Sequence, residues 1–355
     1  MGDEILVSVV IPAYNAAGCI GQAVKSVLAQ SFMDYEIIVV NDGSPDTAEL
    51  EAALAPYRSR IQYFRQENRG PSAARNRGTR AARGKYVAFL DSDDTWLPEH
   101  LATQVFILEK DARLGLVYSD SFLLKDGEVV GRTFQRESQV LPVTFEALLE
   151  ELCTVSLSTA VALRQDLIEA GLFDETMVRC EDFDLWLRMA YRGTGMTHHS
   201  GANVRRTLSP DGLSSNEHLM RCARLEVLKK VGATMSLSQP QKELLARRLN
   251  FGEAMMNLDR LKLLIEAGKF TEATEAASQA YRALHGWKLR LAVLGLRRFP
   301  RLVQTYYKVH EKLLGIRNRR RSARYSREAM ARPDRAGDAS VNSDQYTKGG
   351  AAVNQ

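Results

Sequence analysis

The sequence predicts an α/β protein: an open, mostly parallel, Rossmann-like sheet, then a mixed half, then a helical C-terminal extension. Three observations carry this. Apolar runs and amphipathic helical stretches alternate through the first 120 residues. The apolar runs are unbroken, the pattern of strands covered by helices on both faces. Three of them end in polar turns, at residues 12–15, 41–44 and 91–94, and parallel sheets of this kind take ligands beyond the carboxyl ends of their strands.

Residues 6–11 are a β-branched run and predict the first strand; residues 19–30 carry the helical period, and residues 36–40 form a second apolar run that completes a βαβ start. The turn Gly43-Ser44-Pro45-Asp46-Thr47 opens a helix, residues 61–64 predict a short strand, residues 71–82 a helix, and residues 86–90 the strand leading into the third turn. Between 115 and 215 the pattern is mixed and is expected to build the second face of a cleft. Here 116–119, 122–124, 128–131 and 158–163 read as strands, with Asp126-Gly127 as a hairpin signal. Residues 181–191 predict a helix, and a further strand ends at Arg205 and Arg206. From 216 to 312 the chain reads as wholly helical, with Gly268-Lys269-Phe270 joining two helices in a pairing compatible with a tetratricopeptide unit. The expected organisation is 1–215 as the main domain, split into 1–120 and 121–215; then a helical region 216–330 that is basic from 286; then 331–355 as a disordered tail.

Composition narrows the classes. With 355 residues and 45% hydrophobic content, the chain can bury one sizeable core and append a second unit. Cys19, Cys153, Cys180 and Cys222 are far apart, which matches neither a zinc pattern nor a disulfide framework and fits a reducing cytoplasm. The acidic start Met1-Gly2-Asp3-Glu4 lacks the features of a secretory signal, and no apolar run approaches the roughly 18 residues that span a bilayer. A cytoplasmic protein is expected. The formal charge of +5 is uneven: residues 286–332 hold 14 Lys or Arg against Glu311 and Glu328. Arg317, Arg319, Arg320, Arg321, Arg324 and Arg327, with Trp287, Phe299, Tyr306 and Tyr307 nearby, favour peripheral contact with the inner membrane face over nucleic acid, which is not an expected partner. A solvated basic face is the plain alternative. The oligomeric state is left open.

The run Tyr86-Val87-Ala88-Phe89-Leu90 leads into Asp91, Asp93 and Asp94. Carboxylates this close repel one another unless a cation offsets them, and oxygen-only donors suit Mg²⁺ or Mn²⁺, ions that grip substrate diphosphates. The same residues also suit a turn or a helix cap.

Five motifs in order carry a resemblance: Val7-Ser8-Val9-Val10-Ile11-Pro12-Ala13-Tyr14-Asn15; Glu36-Ile37-Ile38-Val39-Val40-Asn41-Asp42-Gly43-Ser44; Ser72-Ala73-Ala74-Arg75-Asn76-Arg77-Gly78; Phe89-Leu90-Asp91-Ser92-Asp93-Asp94; and Glu181-Asp182-Phe183-Asp184-Leu185-Trp186-Leu187-Arg188. In these the chain resembles the family-2 nucleotide-sugar glycosyltransferases with the glycosyltransferase A fold, over about the first 60% of its length. The resemblance implies an inverting, Mn²⁺- or Mg²⁺-dependent transfer of a single sugar from a nucleotide sugar, with UDP favoured. The acceptor would be a hydroxyl on a glycan or a lipid-linked glycan in cell-surface polysaccharide or glycolipid synthesis.

Residue by residue, it implies that Pro12, Ala13 and Tyr14 line the base pocket, Asp42 binds uracil or ribose, Arg75 approaches the nucleotide or its diphosphate, Asp91 contacts the ribose side and Asp93 ligates the metal. Asp182 would be the base that deprotonates the acceptor, with Glu181 and Trp186 on the acceptor side. Arg205 would close over the diphosphate as part of a lid. Departures are Asn41, where the family often has aspartate, and Thr207-Leu208, where a lid histidine is often found. His198 and His199 read as structural or exposed. The Gln-x-x-Arg-Trp motif of processive members is missing. Two other classes stay in view: a sugar nucleotidyltransferase, disfavoured because no Gly-rich, basic loop follows the first strand, and an inactive transferase-like binding module, disfavoured by Asp42, Asp91, Asp93 and Asp182 together.

Overall fold

The computed structural model describes residues 5–307 apart from Ser138 and Asp211. In chain order the elements are β1 (Val7–Ala13), α1 (Ile20–Leu28), β2 (Tyr35–Asp42), α2 (Thr47–Leu54), β3 (Gln62–Gln66), α3 (Pro71–Ala81), β4 (Tyr86–Phe89), β5 (Thr95–Trp96) and α4 (His100–Lys110). They continue with β6 (Leu114–Lys125), β7 (Glu128–Arg132), α5 (Thr133–Arg136), α6 (Phe145–Leu149), β8 (Ala160–Leu163), α7 (Arg164–Glu169), α8 (Glu181–Tyr191) and β9 (Gly195–Thr207). Four helices follow: α9 (Glu217–Thr234), α10 (Gln239–Glu266), α11 (Phe270–Leu284) and α12 (Trp287–Arg298).

The nine strands form one sheet in the order β3-β2-β1-β4-β8-β6-β9-β5, with β7 paired to β6. Neighbours in β3-β2-β1-β4 are parallel, while β8 runs antiparallel to β4 and β6, and β6 is parallel to β9. The predicted open, mostly parallel sheet with a mixed second half is therefore found. Burial explains the unbroken apolar runs: Val10, Ile38 and Val87 point into one core and Val9, Ile37 and Ala88 into another on the opposite face. Period-2 alternation divides each strand between two apolar cores. Helix α1 buries Ile20, Ala23, Val24 and Val27, one stripe at helical spacing. Helix α3 lies so close to β1 that a Cβ on Gly78 would stand 2.4 Å from a Val10 methyl, so glycine is required there.

Strand β6 runs through the division expected at residue 120, so the two halves share a strand. The boundary at 216 is likewise not a packing boundary, because Val227, Leu228, Val231, Leu244 and Leu245 of α9 and α10 join the core beneath the sheet. A separate small cluster links the far end of α10 to α11 and α12 through Leu261, Ile265, Ala273 and Leu296. Helices of 28 and 15 residues, α10 and α11, are too unequal and too long together for the roughly 34-residue tetratricopeptide unit. Among the described residues no helix is long and apolar enough to cross a membrane. The arginine run 317–327 and the tail 331–355 lie outside the described residues.

Candidate active site

The three polar turns stand side by side at the carboxyl ends of β1, β2 and β4. The first two are bound together: Asn15 N–H donates to Ser44 Oγ at 2.7 Å, Ala17 N–H donates to Asp46 Oδ2 at 2.8 Å, and Ser44 Oγ donates to Asp46. Asn41 explains its own departure from aspartate. Its amide nitrogen donates to Thr47 Oγ1 at 3.1 Å and to Tyr63 OH at 2.8 Å, while its oxygen accepts from Ser44 N–H at 2.9 Å. The Thr47 and Tyr63 hydroxyls already donate to Ser44 O and Glu51, so a carboxylate, with no proton to give them, would keep only the last of these bonds.

Asp42 is 3% exposed, and its Oδ1 accepts from Gln66 Nε2 at 2.7 Å and from Arg69 N–H at 3.0 Å. The side chain is thus held to the loop after β3, and the turn-closing role falls to Asn41. Gly43, the next residue, has φ 65°, and a Cβ would meet Asn68 N at 2.5 Å, so only glycine lets the two loops approach. Ala13 is buried, Pro12 half-buried and Tyr14 exposed at the rim.

Arg75 is the centre of the arrangement. Its Nη2 donates to Asp91 Oδ1 and its Nη1 to Glu181 Oε1, both at 2.8 Å, and its guanidinium lies 5.7 Å from the Phe173 ring. Charge-assisted bonds of this kind are the strong ones, and this arginine is 6% exposed. Burial opposes its charge, but the Asp91 and Glu181 carboxylates hold its pKa above the ordinary arginine value. Phe173 is itself fixed by Asn76 through two bonds of 2.9 Å to its backbone. With both Nη atoms on carboxylates, Arg75 is a clasp between the turn after β4 and the start of α8.

That clasp brings Asp182 in. The left-handed Cys180 (φ 57°) turns the chain into α8, so Glu181 and Asp182 occupy the first turn, where acids also suit the helix dipole. Asp182 Oδ1 accepts from Phe183 N–H at 2.8 Å. Burial, then the neighbouring Glu181 charge, raise its carboxyl to about 6; Arg75 pulls the other way, and Asp91 adds to the rise. The rest of α8 is anchored by Asp184, 1% exposed, which pairs with Arg188 at 2.8 Å and Lys230 at 2.9 Å. Trp186 requires a correction. It is 1% exposed with its indole N–H donating to Val155 O at 3.2 Å, so it packs in the core instead of stacking on an acceptor sugar.

The aspartates after β4 have separate environments. Asp94 is buried and accepts from Thr207 N–H at 2.8 Å; burial and then Asp91 push its carboxyl up to about 7, with Arg206 opposing. It closes the turn against β9. Asp93 is exposed, and its carboxyl is raised, first by desolvation and then by Asp91, again with Arg206 opposing. Arg206 Nη1 donates to Ser156 Oγ at 2.8 Å. Arg205 is exposed and, by strand alternation, points to the opposite side of β9, so Arg206 and not Arg205 is the cation beside the aspartates. His198 sits 5.3 Å from both the Tyr118 and Phe134 rings, and burial pushes His199 down to about 4.

The donor set fits a hard divalent cation in one mode. Asp94 is buried against Thr207 and Asp91 gives one oxygen to Arg75, so Asp93, the most exposed of the three mutually repelling carboxylates, is the foremost oxygen ligand. Among the described residues no three His, Cys, Asp or Glu side chains form a complete cage. A single carboxylate completed by waters and substrate phosphates is how Mg²⁺ is usually held at such sites. Sequence reasoning named Arg206 but preferred Arg205, and it missed Ser158, whose Oγ accepts from Asp91 N–H at 3.1 Å. A basic residue adjacent to Arg205 was a visible signal for the first; nothing local marked the second.

Comparisons with known proteins give the family and the fold. Residues 8–151 match the model for "Glycosyl transferase family 2". The chain is 31% identical over 186 residues to the Escherichia coli UDP-Glc:alpha-D-GlcNAc-diphosphoundecaprenol beta-1,3-glucosyltransferase WfgD, covering 52% of this chain and 70% of that protein. It spans only 27% to 58% of the length of five uncharacterised Rickettsia glycosyltransferases that it matches at 33% to 35% identity. The fold superposes on S. aureus TarS 1–349 in complex with UDP-GlcNAc at TM-score 0.59 and 19% identity, covering 87% of this chain and 92% of that one. It also superposes on the Pyrobaculum calidifontis mannosyltransferase PcManGT in complex with GDP-Man and Mn²⁺ at TM-score 0.53 and 20% identity, covering 85% and 84%.

Proposed function

The chain belongs to glycosyl transferase family 2, and on that premise we propose that it moves one sugar from a nucleotide sugar, most naturally a UDP-sugar, to a hydroxyl of a lipid-linked glycan, with inversion. The observation that carries this reading is the Arg75 clasp: one buried guanidinium bonds Asp91 and Glu181 at 2.8 Å each, so the donor-side turn and the residue next to Asp182 border the same space.

The division of labour follows from the environments. Asp42, held by Gln66 and Arg69, faces the donor's uracil or ribose beside Pro12, Ala13 and Tyr14. Asp93 would hold the divalent cation, which when bound supplies positive charge to the departing nucleoside diphosphate. Arg206, beside Asp93 and Asp94, adds a fixed positive charge where the diphosphate leaves. Asp182 is the base: a carboxyl raised to about 6 is ionised at neutral pH yet more basic than an ordinary aspartate. The acceptor oxygen forms its bond to the anomeric carbon from the face opposite the diphosphate, that carbon's bond to the phosphate oxygen breaks, and the hydroxyl proton passes to Asp182. Arg75 is a positioning residue, setting the separation of the two sides and restraining the rise in the Asp182 pKa.

The WfgD name specifies a diphosphoundecaprenol acceptor for that relative. A lipid-linked acceptor would bring this chain, on the cytoplasmic side, to a membrane face. The test is incubation with a panel of UDP-, dTDP- and GDP-sugars, Mn²⁺ and lipid-diphosphate-linked monosaccharides. Formation of a disaccharide with inverted anomeric configuration from one donor is expected. Pyrophosphate release from a nucleoside triphosphate, or no turnover of any donor, would overturn the assignment.

A further inference from the structure

Helix α12 has two apolar faces. One is used: Leu296 is buried, and Val293 packs against the cluster between α10 and α11. On the other side Trp287, Leu291 and Leu294 fall at i, i+4 and i+7 and form one stripe, exposed by 68%, 57% and 52%. The helical turn that follows adds Phe299 and Leu302, exposed by 62% and 71%. Large apolar side chains lined up in water are unfavourable unless something covers them.

The flanks say what covers them. Lys288 and Arg290 border the stripe at its start, Arg297 and Arg298 at its end, and Arg301 follows; residues 286–307 contain no Asp or Glu. A second copy of the same surface would bring cations against cations. A protein partner would need an apolar groove rimmed by carboxylates spaced to match Lys288, Arg290, Arg297, Arg298 and Arg301. An anionic bilayer meets both features, taking the apolar stripe into the boundary between headgroups and acyl chains while phosphates neutralise the cations, and Trp287 is of the type enriched at that depth.

We propose that the outer face of α12, with residues 299–302, is a docking surface for an anionic lipid bilayer. The docking is a property of this face and stands whether or not the sugar-transfer reading holds.

Tryptophan emission tests it in the intact chain, since Trp96 and Trp186 are buried and Trp287 is the exposed one of the three. Vesicles of phosphatidylglycerol and phosphatidylcholine should blue-shift the Trp287 emission, and brominated acyl chains should quench it, with neither effect on pure phosphatidylcholine. The variant Leu291→Ser/Leu294→Ser should lose at least about ten-fold in vesicle affinity while keeping its circular dichroism spectrum. Arg290→Gln/Arg297→Gln/Arg298→Gln should lose a comparable amount and lose its salt dependence as well. Unchanged Trp287 emission with anionic vesicles would overturn the proposal. So would wild-type vesicle affinity in the double serine variant; if that variant instead changed the oligomeric state, the face would belong to a second copy.

Discussion

Replacing Arg75 by Gln should do two separable things. The side chain makes two charge-assisted bonds of 2.8 Å, to Asp91 and to Glu181, from a nearly fully buried position. Removing one partner of a buried pair costs about 3–5 kcal/mol; because the Asp91 side chain is 37% exposed, the lower end, about 3 kcal/mol, is expected. For a chain of 355 residues, whose unfolding entropy is roughly 0.75 kcal/mol/K, that is a fall of about 4 °C in Tm. The second effect is on proton transfer. Arg75 lowers a carboxyl otherwise raised by burial and by Glu181 to about 6. Loss of an opposite charge at this range moves such a pKa up by about one pH unit. The acid limb of the rate profile should therefore move from about pH 6 to about pH 7, leaving roughly a third of the ionised Asp182 at pH 6.5. Arg75→Lys keeps the charge but not the fork, so it should lose stability while the limb stays within a few tenths of its position. The assay is transfer rate against pH with saturating donor, alongside calorimetry. An unmoved acid limb in Arg75→Gln with an intact fold would refute the reasoning.

Other outcomes follow from the same geometry. Asp182→Asn should lower kcat by about 10²–10⁴ with donor KM little changed, and at pH 7.5 its Tm should be no lower than that of the parent, because a carboxyl whose folded pKa is raised weakens folding once it ionises. Asp94→Asn keeps an acceptor for Thr207 N–H and removes a carboxyl raised to about 7. Asp94 contributes stability that is present below its unfolded value and lost as pH rises through 7, so the variant should gain in Tm relative to the parent at pH 8 and not at pH 4. Asp93→Asn should raise the Mn²⁺ concentration needed for half-maximal rate at least about ten-fold, with little change in Tm given its exposure. Gly43→Ala should destabilise by about 1–3 kcal/mol and raise donor KM, as the added Cβ displaces Asn68 and with it the loop that holds Asp42.

The first 120 residues were largely legible because their signals are local. Apolar runs such as that of β1, a glycine that only a positive φ explains at 43, and polar turns at strand ends need no knowledge of distant residues. In the second half the strands and the Asp126-Gly127 hairpin were legible, but their order in the sheet was not. β9 reads poorly because His198, His199, Ser200 and Asn203 break any apolar pattern; its pairing comes from 13 residues laid along β6 with bulges, which is a tertiary choice. Trp186 shows the limit on the site side. The motif around it suggests a sugar platform, but on α8 it shares a face with buried residues, and only packing decides between core and cleft. Arg205 and Arg206 differ by one position, and a one-residue step in a strand reverses the side chain's direction. Arg75 was picked out for the right region but its carboxylate partners were not foreseen, since nothing in the sequence says that Asp91 and Glu181, 90 residues apart, reach the same guanidinium.

The central claim is that the turn carrying Asp93 and the helix start carrying Asp182 face one pocket from opposite sides. A crystal structure with UDP-sugar and Mn²⁺ tests it most directly. The account predicts Mn²⁺ on Asp93 and the diphosphate, the nucleoside against Asp42, Arg75 still bonded to Asp91 and Glu181, and the Asp182 carboxylate on the side of the anomeric carbon away from the phosphate. A nucleotide bound with its diphosphate away from Asp93, or an Asp182 facing away from the sugar, would contradict it.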